Sequence, residues 1–68
     1  MGMKILVKVK KSGENRVENF GGHRYLVYCS SDSNEMIKNL LSRHLGTPLS
    51  NISLKSIDTH GNRIFEVG

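Results

Sequence analysis

Residues 31–48 read SDSNEMIKNLLSRHLGTP, and this stretch decides the fold. Its apolar residues Ile37, Leu40, Leu41 and Leu45 recur at i, i+3, i+4 and i+8, with Met36 or His44 beside them. That spacing puts one apolar stripe on a helix. Glu35, Lys38, Asn39, Ser42 and Arg43 fall on the opposite side. The start is marked twice: Asp32 with Glu35 fits a capping box, and Ser33 is a rival N-cap. Gly46 stands where a left-handed C-cap belongs, and Pro48 stops the chain from continuing as helix. The helix is expected over residues 34–45.

Strand patterns flank it on both sides. In Met3–Lys10, Ile5, Val7 and Val9 alternate with Leu6, Lys8 and Lys10, a half-buried strand. Lys11–His23 is rich in Gly, Asn, Glu and Ser and reads as a long loop, with Val17 and Phe20 tucking part of it back. Arg24–Ser30 is a second strand, with Tyr25, Val27 and Cys29 on one face and Leu26, Tyr28 and Ser30 on the other. After the helix, Ile52–Asp58 alternates until Ile57 breaks the register, which marks a bulge or an early end. Thr59–Asn62 is a turn, and Arg63–Val67 a last strand.

The expected architecture is α+β: a two-layer β(2)-α-β(2) sandwich in one domain spanning 1–68, with a single helix on a four-stranded mixed sheet. Its buried set would be Ile5, Val7, Val9, Tyr25, Val27, Cys29, Ile37, Leu40, Leu41, Leu45, Ile52 and Leu54. A chain of 68 residues buries only roughly 60% of the surface its unfolded form exposes. Net stability of about 3–5 kcal/mol follows, with little room for an enclosed catalytic pocket. Hydrophobic residues at 37% and charged residues at 24% set the chain apart from disordered compositions.

One cysteine cannot close an internal disulfide, which points to a reducing, cytoplasmic setting. No apolar run approaches the ~20 residues of a membrane span. Met1-Gly2 reads as an addition ahead of a start at Met3, and Leu6 stands where a myristoylation signal needs Ser or Thr.

A family likeness covers most of the chain. The segment Gly46-Thr47-Pro48-Leu49-Ser50-Asn51-Ile52-Ser53-Leu54-Lys55-Ser56 resembles the helix-to-strand segment of the YggU-like proteins, approximately G-V-P-x-S-x-V-x-L-x-S. It continues to Arg63, where that family tends to carry Lys or Arg, and Val7–Gly22 is also similar. The family's Pro-rich Gly-Lys-Ala-Asn loop is replaced by Ser30–Asn34, in which Asn34 matches the terminal Asn. The resemblance implies a β(2)-α-β(2) fold and no established reaction. The ubiquitin-like β-grasp fold shares that element order. Its conjugating members end in Gly-Gly, whereas this chain ends Glu66-Val67-Gly68.

Catalytic groups are sparse. Cys29 falls on the core side and reads as a small buried hydrophobe. A nucleophile would need an adjacent base. His23, His44 and His60 lack metal-ligand spacing. An acid/base pair among Asp32, Glu35, Asp58 and Glu66 would need perturbed pKa values in a cleft; Asp32 and Glu35 are better explained by capping and the helix dipole, Glu66 reads as an ordinary strand carboxylate, and the glycines make no phosphate loop. No enzyme site, cofactor, metal, membrane or small-molecule substrate is expected.

The outer sheet face offers the one binding surface. Lys4, Lys8 and Lys10 share a side with Leu6, and Arg24 and Tyr28 share the matching side with Leu26. Cations around an aromatic ring can neutralise phosphate and stack a base, the chemistry of single-stranded RNA or DNA binding, and the net charge of +4 favours it. The same pattern also fits a solvated face with snorkelling lysines. A third reading is a protein or homodimer contact through Leu6, Leu26 and Tyr28, as in a ubiquitin-like adaptor.

Overall fold

The computed structural model describes residues 2–31 and 33–68. The elements are β1 (Met3–Lys11), β2 (Arg16–Gly21), β3 (Arg24–Cys29), α1 (Asn34–Leu45), a 3-10 turn (Leu49–Asn51), β4 (Ile52–Ile57) and β5 (Arg63–Val67). The α+β class, the single helix and the mixed sheet hold. The strand count does not: the sheet has five strands in the order β2-β3-β1-β5-β4.

The extra strand is β2, inside the segment expected to be a loop. It is an edge strand paired antiparallel to β3, with Val17 opposite Val27 and a bulge between Asn19 and Gly21. Gly22 and His23 make a two-residue turn between Gly21 and Arg24. Only the first of those two has positive φ, at 59°, as in II′-type hairpins. The βββαββ order departs from the ββαββ order that both the YggU-like resemblance and the β-grasp comparison implied.

β1 is the central strand. It pairs antiparallel with β5 and parallel with β3, because the β2 hairpin returns the chain in the original direction. α1 then carries the chain from β3 across the sheet to β4 at the far edge. Ile5, Val7, Tyr25, Val27, Cys29, Ile52, Phe65 and Val67 face the helix and are buried with Ile37 and Leu41. Val9, Leu40, Leu45 and Leu54, expected in the core, lie at its rim and are only partly buried. Phe65 and Val67 join the core instead. Val17 packs on the core's edge as expected, but Phe20 is half-exposed at the β2 bulge.

The bulge expected in β4 falls between Leu54 and Ser56. The helix keeps its expected bounds. Ser33 is the N-cap, its Oγ accepting from the Met36 amide at 3.1 Å. The capping role offered for Asp32 lies outside the described residues. Gly46 closes the helix at φ 67°, and its amide and that of Thr47 donate to the Ser42 carbonyl. A Cβ at Gly46 meets open space, so only backbone conformation opposes a side chain there. Gly46→Ala is expected to cost about 1 kcal/mol, read as a lowered denaturant midpoint at an unchanged m-value.

Candidate nucleic-acid interface

Strand alternation gives the sheet a second face, away from the helix. The parallel register sets Leu6 beside Arg24, Lys8 beside Leu26 and Lys10 beside Tyr28. On the other side of β1, Lys4 lies opposite Glu66 and Leu6 opposite Ile64. Beyond β3, Arg16 lies opposite Tyr28 and Glu18 opposite Leu26. The expected residues Lys4, Lys8, Lys10, Arg24 and Tyr28 are thus on one surface with Leu6 and Leu26. All four cations are exposed, while Leu6, Leu26 and Tyr28 are half-buried beneath their neighbours.

The cations are not equivalent. Lys4 sits across from Glu66, whose carboxylate is 3.1 Å from Lys55 Nζ, so that end of the face is partly neutralised. Lys8, Lys10 and Arg24 make no ion pair among the described residues. Unlike Lys4, none of the three lies opposite a carboxylate in the sheet register, so they meet a polyanion with the least local competition.

Tyr28 does not present a bare ring. The Arg16 guanidinium lies over it, 4.2 Å from the ring centroid. Arg16 is steered there by Glu18 at 3.3 Å and Glu14 at 3.8 Å. The ring and guanidinium form one cation–π unit. A base would stack on the guanidinium plane or displace it, and Arg planes are themselves stacking surfaces. The sequence reading missed Arg16 because it missed β2. The signal was present: Val17 and a Gly-Gly pair just before a recognisable strand are a hairpin cue.

The other titratable groups have separate places. Cys29 is fully buried on the helix side of β3. His44 is exposed on the helix, its ring edge-on to Tyr25 with centroids 5.9 Å apart. No group of three or more metal-ligating side chains occurs among the described residues. No helix among them is long and apolar enough to cross a membrane.

Asp58 organises the β4–β5 turn. Its carboxylate accepts from the His60 amide at 2.8 Å, the Asn62 amide at 2.9 Å and the Asn62 side chain at 3.1 Å. Loss of hydration is the largest single influence on its pKa and acts upward. The hydrogen bonds from His60 and Asn62, with the positive field of His60, outweigh it and hold the pKa below the ordinary value. A depressed folded pKa contributes stability that is fully present above the unfolded value of about 3.9 and is lost as pH falls through the folded value. The Asp58 carboxyl carbon should therefore titrate below ordinary aspartate in an NMR pH series. The amide signals of His60 and Asn62 should move with it.

Comparison with known proteins gave no match: no family model, no curated protein and no solved structure is significantly similar to this chain.

Proposed function

We propose that this domain is a binding module, not a catalyst, and that it holds single-stranded RNA or DNA weakly on its open sheet face in the cytoplasm. The observation that carries this reading is the parallel β1–β3 register, which sets Lys8 and Lys10 beside Leu26 and Tyr28. Lys8, Lys10 and Arg24 would neutralise phosphates, and the Arg16–Tyr28 pair would take a base. Full burial of Cys29 supports the non-catalytic part, since a nucleophile must reach its substrate.

Fluorescence anisotropy of a labelled single-stranded RNA across a salt series tests the proposal. Three phosphate contacts predict a log–log slope of about −2. Binding indifferent to salt would sink it.

A protein contact is the second reading. The half-burial of Leu6, Leu26 and Tyr28 makes them a poor apolar patch, so it rests on the open β2 edge, where Phe20 is half-exposed. Unpaired edges can accept another strand. A monomer in sedimentation at high concentration would remove its self-association form.

A further inference from the structure

The open edge of β2 is complementary in charge to a second copy of itself. We propose that two chains pair through this edge, antiparallel about a two-fold axis at Val17, so that Arg16 of each copy faces Glu18 of the other. This rests on the second reading above, a contact at the β2 edge, and deepens it by naming the occupant and the register.

Neighbouring strands fix which way the β2 backbone points. The Leu6 and Ser12 amides donate to the His23 and Cys29 carbonyls, at 2.8 and 2.9 Å. Odd-numbered residues of β3 therefore turn their backbone groups toward β1, and even-numbered ones toward β2. Arg16 lies opposite Tyr28 and Glu18 opposite Leu26, so Arg16 and Glu18 bond inward to β3. Val17 and Asn19 turn their N–H and C=O groups outward, and no strand of the sheet lies beyond them. Such a row can take up another strand. The opposite edge is less suited. A bulge between Leu54 and Ser56 interrupts β4 in its middle, whereas the β2 bulge comes only after Asn19.

Charge selects the partner and the register. With the axis at Val17, the two Val17 residues form a hydrogen-bonded pair. Arg16 then faces Glu18 of the second copy in the closer, non-hydrogen-bonded positions, twice across the axis. Moving the axis by one residue sets Arg16 on Arg16 or Glu18 on Glu18, and like charges directly opposite destabilise a pairing. On the helix side, Val17 of the second copy covers the Val17 and Leu40 floor of a shallow depression of about 270 Å³ beside the edge. Arg43 rims that depression in both copies, so this side adds apolar contact and no charge attraction. The product is one sheet continuous through both copies, with an Arg16–Tyr28 unit on each side of the axis.

A contact of one strand is small and its association weak, so the test is sedimentation of the intact chain, without nucleic acid, from about 10 µM to about 1 mM. The parent is expected to pass from monomer to dimer in that range. Arg16→Glu and Glu18→Arg each set like charges across the axis and should weaken the dimer at least about tenfold, with amide dispersion retained. The swap Arg16→Glu/Glu18→Arg restores opposite charges and should return the dimer to within about threefold of the parent. A dimer that survives both single reversals, or a swap that stays monomeric, overturns this register while the broader reading of a protein contact stands. A parent that is monomeric throughout overturns self-pairing and leaves the edge to a different protein. Binding of RNA by Lys8 and Lys10 is not read in this experiment, so the nucleic-acid proposal stands or fails separately.

Discussion

Reversing two charges on the open face, Lys8→Glu with Lys10→Glu, is expected to lower single-stranded RNA affinity on the order of 100-fold at low salt. Two phosphate contacts are lost and two repelling carboxylates take their place. The salt slope should fall from about −2 to about −0.7, the value for the one remaining cation, Arg24. Both residues are exposed and make no ion pair among the described residues, so stability should change by no more than about 0.5 kcal/mol. A matched reversal on the helix, Lys38→Glu with Arg43→Glu, changes net charge equally but leaves the sheet face intact. If binding follows local geometry, that variant stays within about threefold of the parent. If it follows only the overall charge of +4, both variants lose affinity alike.

The second large effect concerns the core. Phe65 is fully buried, opposite Ile5 on β1 and Leu54 on β4. Truncating a buried Phe to Ala costs about 3–5 kcal/mol through lost transfer energy and the cavity left behind. A domain of this size has about that much stability in total. Phe65→Ala should therefore be largely unfolded at 25 °C, with collapsed amide dispersion. The adjacent Ile64→Ala, on the open face and half-buried, should remain folded at a cost near about 1 kcal/mol. The contrast between neighbouring residues tests the side assignment of β5. A folded Phe65→Ala with a loss comparable to that of Ile64→Ala would contradict it.

Legibility in the sequence varied with how locally each feature is determined. The helix carries its own instructions, Ser33 at one end and Gly46 at the other with Ile37 and Leu41 between, and its bounds are those the pattern predicts. β1 and β3 announce themselves by alternation. β2 does not, because only Val17 in it packs on the core, while Arg16, Asn19 and Phe20 remain exposed. An edge strand of this kind is specified by its partner and by the Gly21–Gly22 turn more than by its own residues. The same non-locality hid Phe65 and Val67. Alternation separates them from Ile64 and Glu66, but only pairing with β1 decides which set faces the helix.

On the candidate site, Lys4, Lys8, Lys10, Arg24 and Tyr28 were placed together by parity alone. Two features depend on strand order and were out of reach: Glu66 facing Lys4, and Arg16 lying over Tyr28. Both sharpen the proposed surface, shifting its centre from Lys4 toward Lys8, Lys10 and the Arg16–Tyr28 pair.

The most direct measurement is an amide chemical-shift titration of labelled protein with short mixed-sequence single-stranded RNA at low and moderate salt. Binding on the open face predicts shifts concentrated at Lys8, Lys10, Arg16 and Arg24–Tyr28 that fade as salt rises. Shifts confined to the helix side or the β2 edge, or none at either salt, would contradict it.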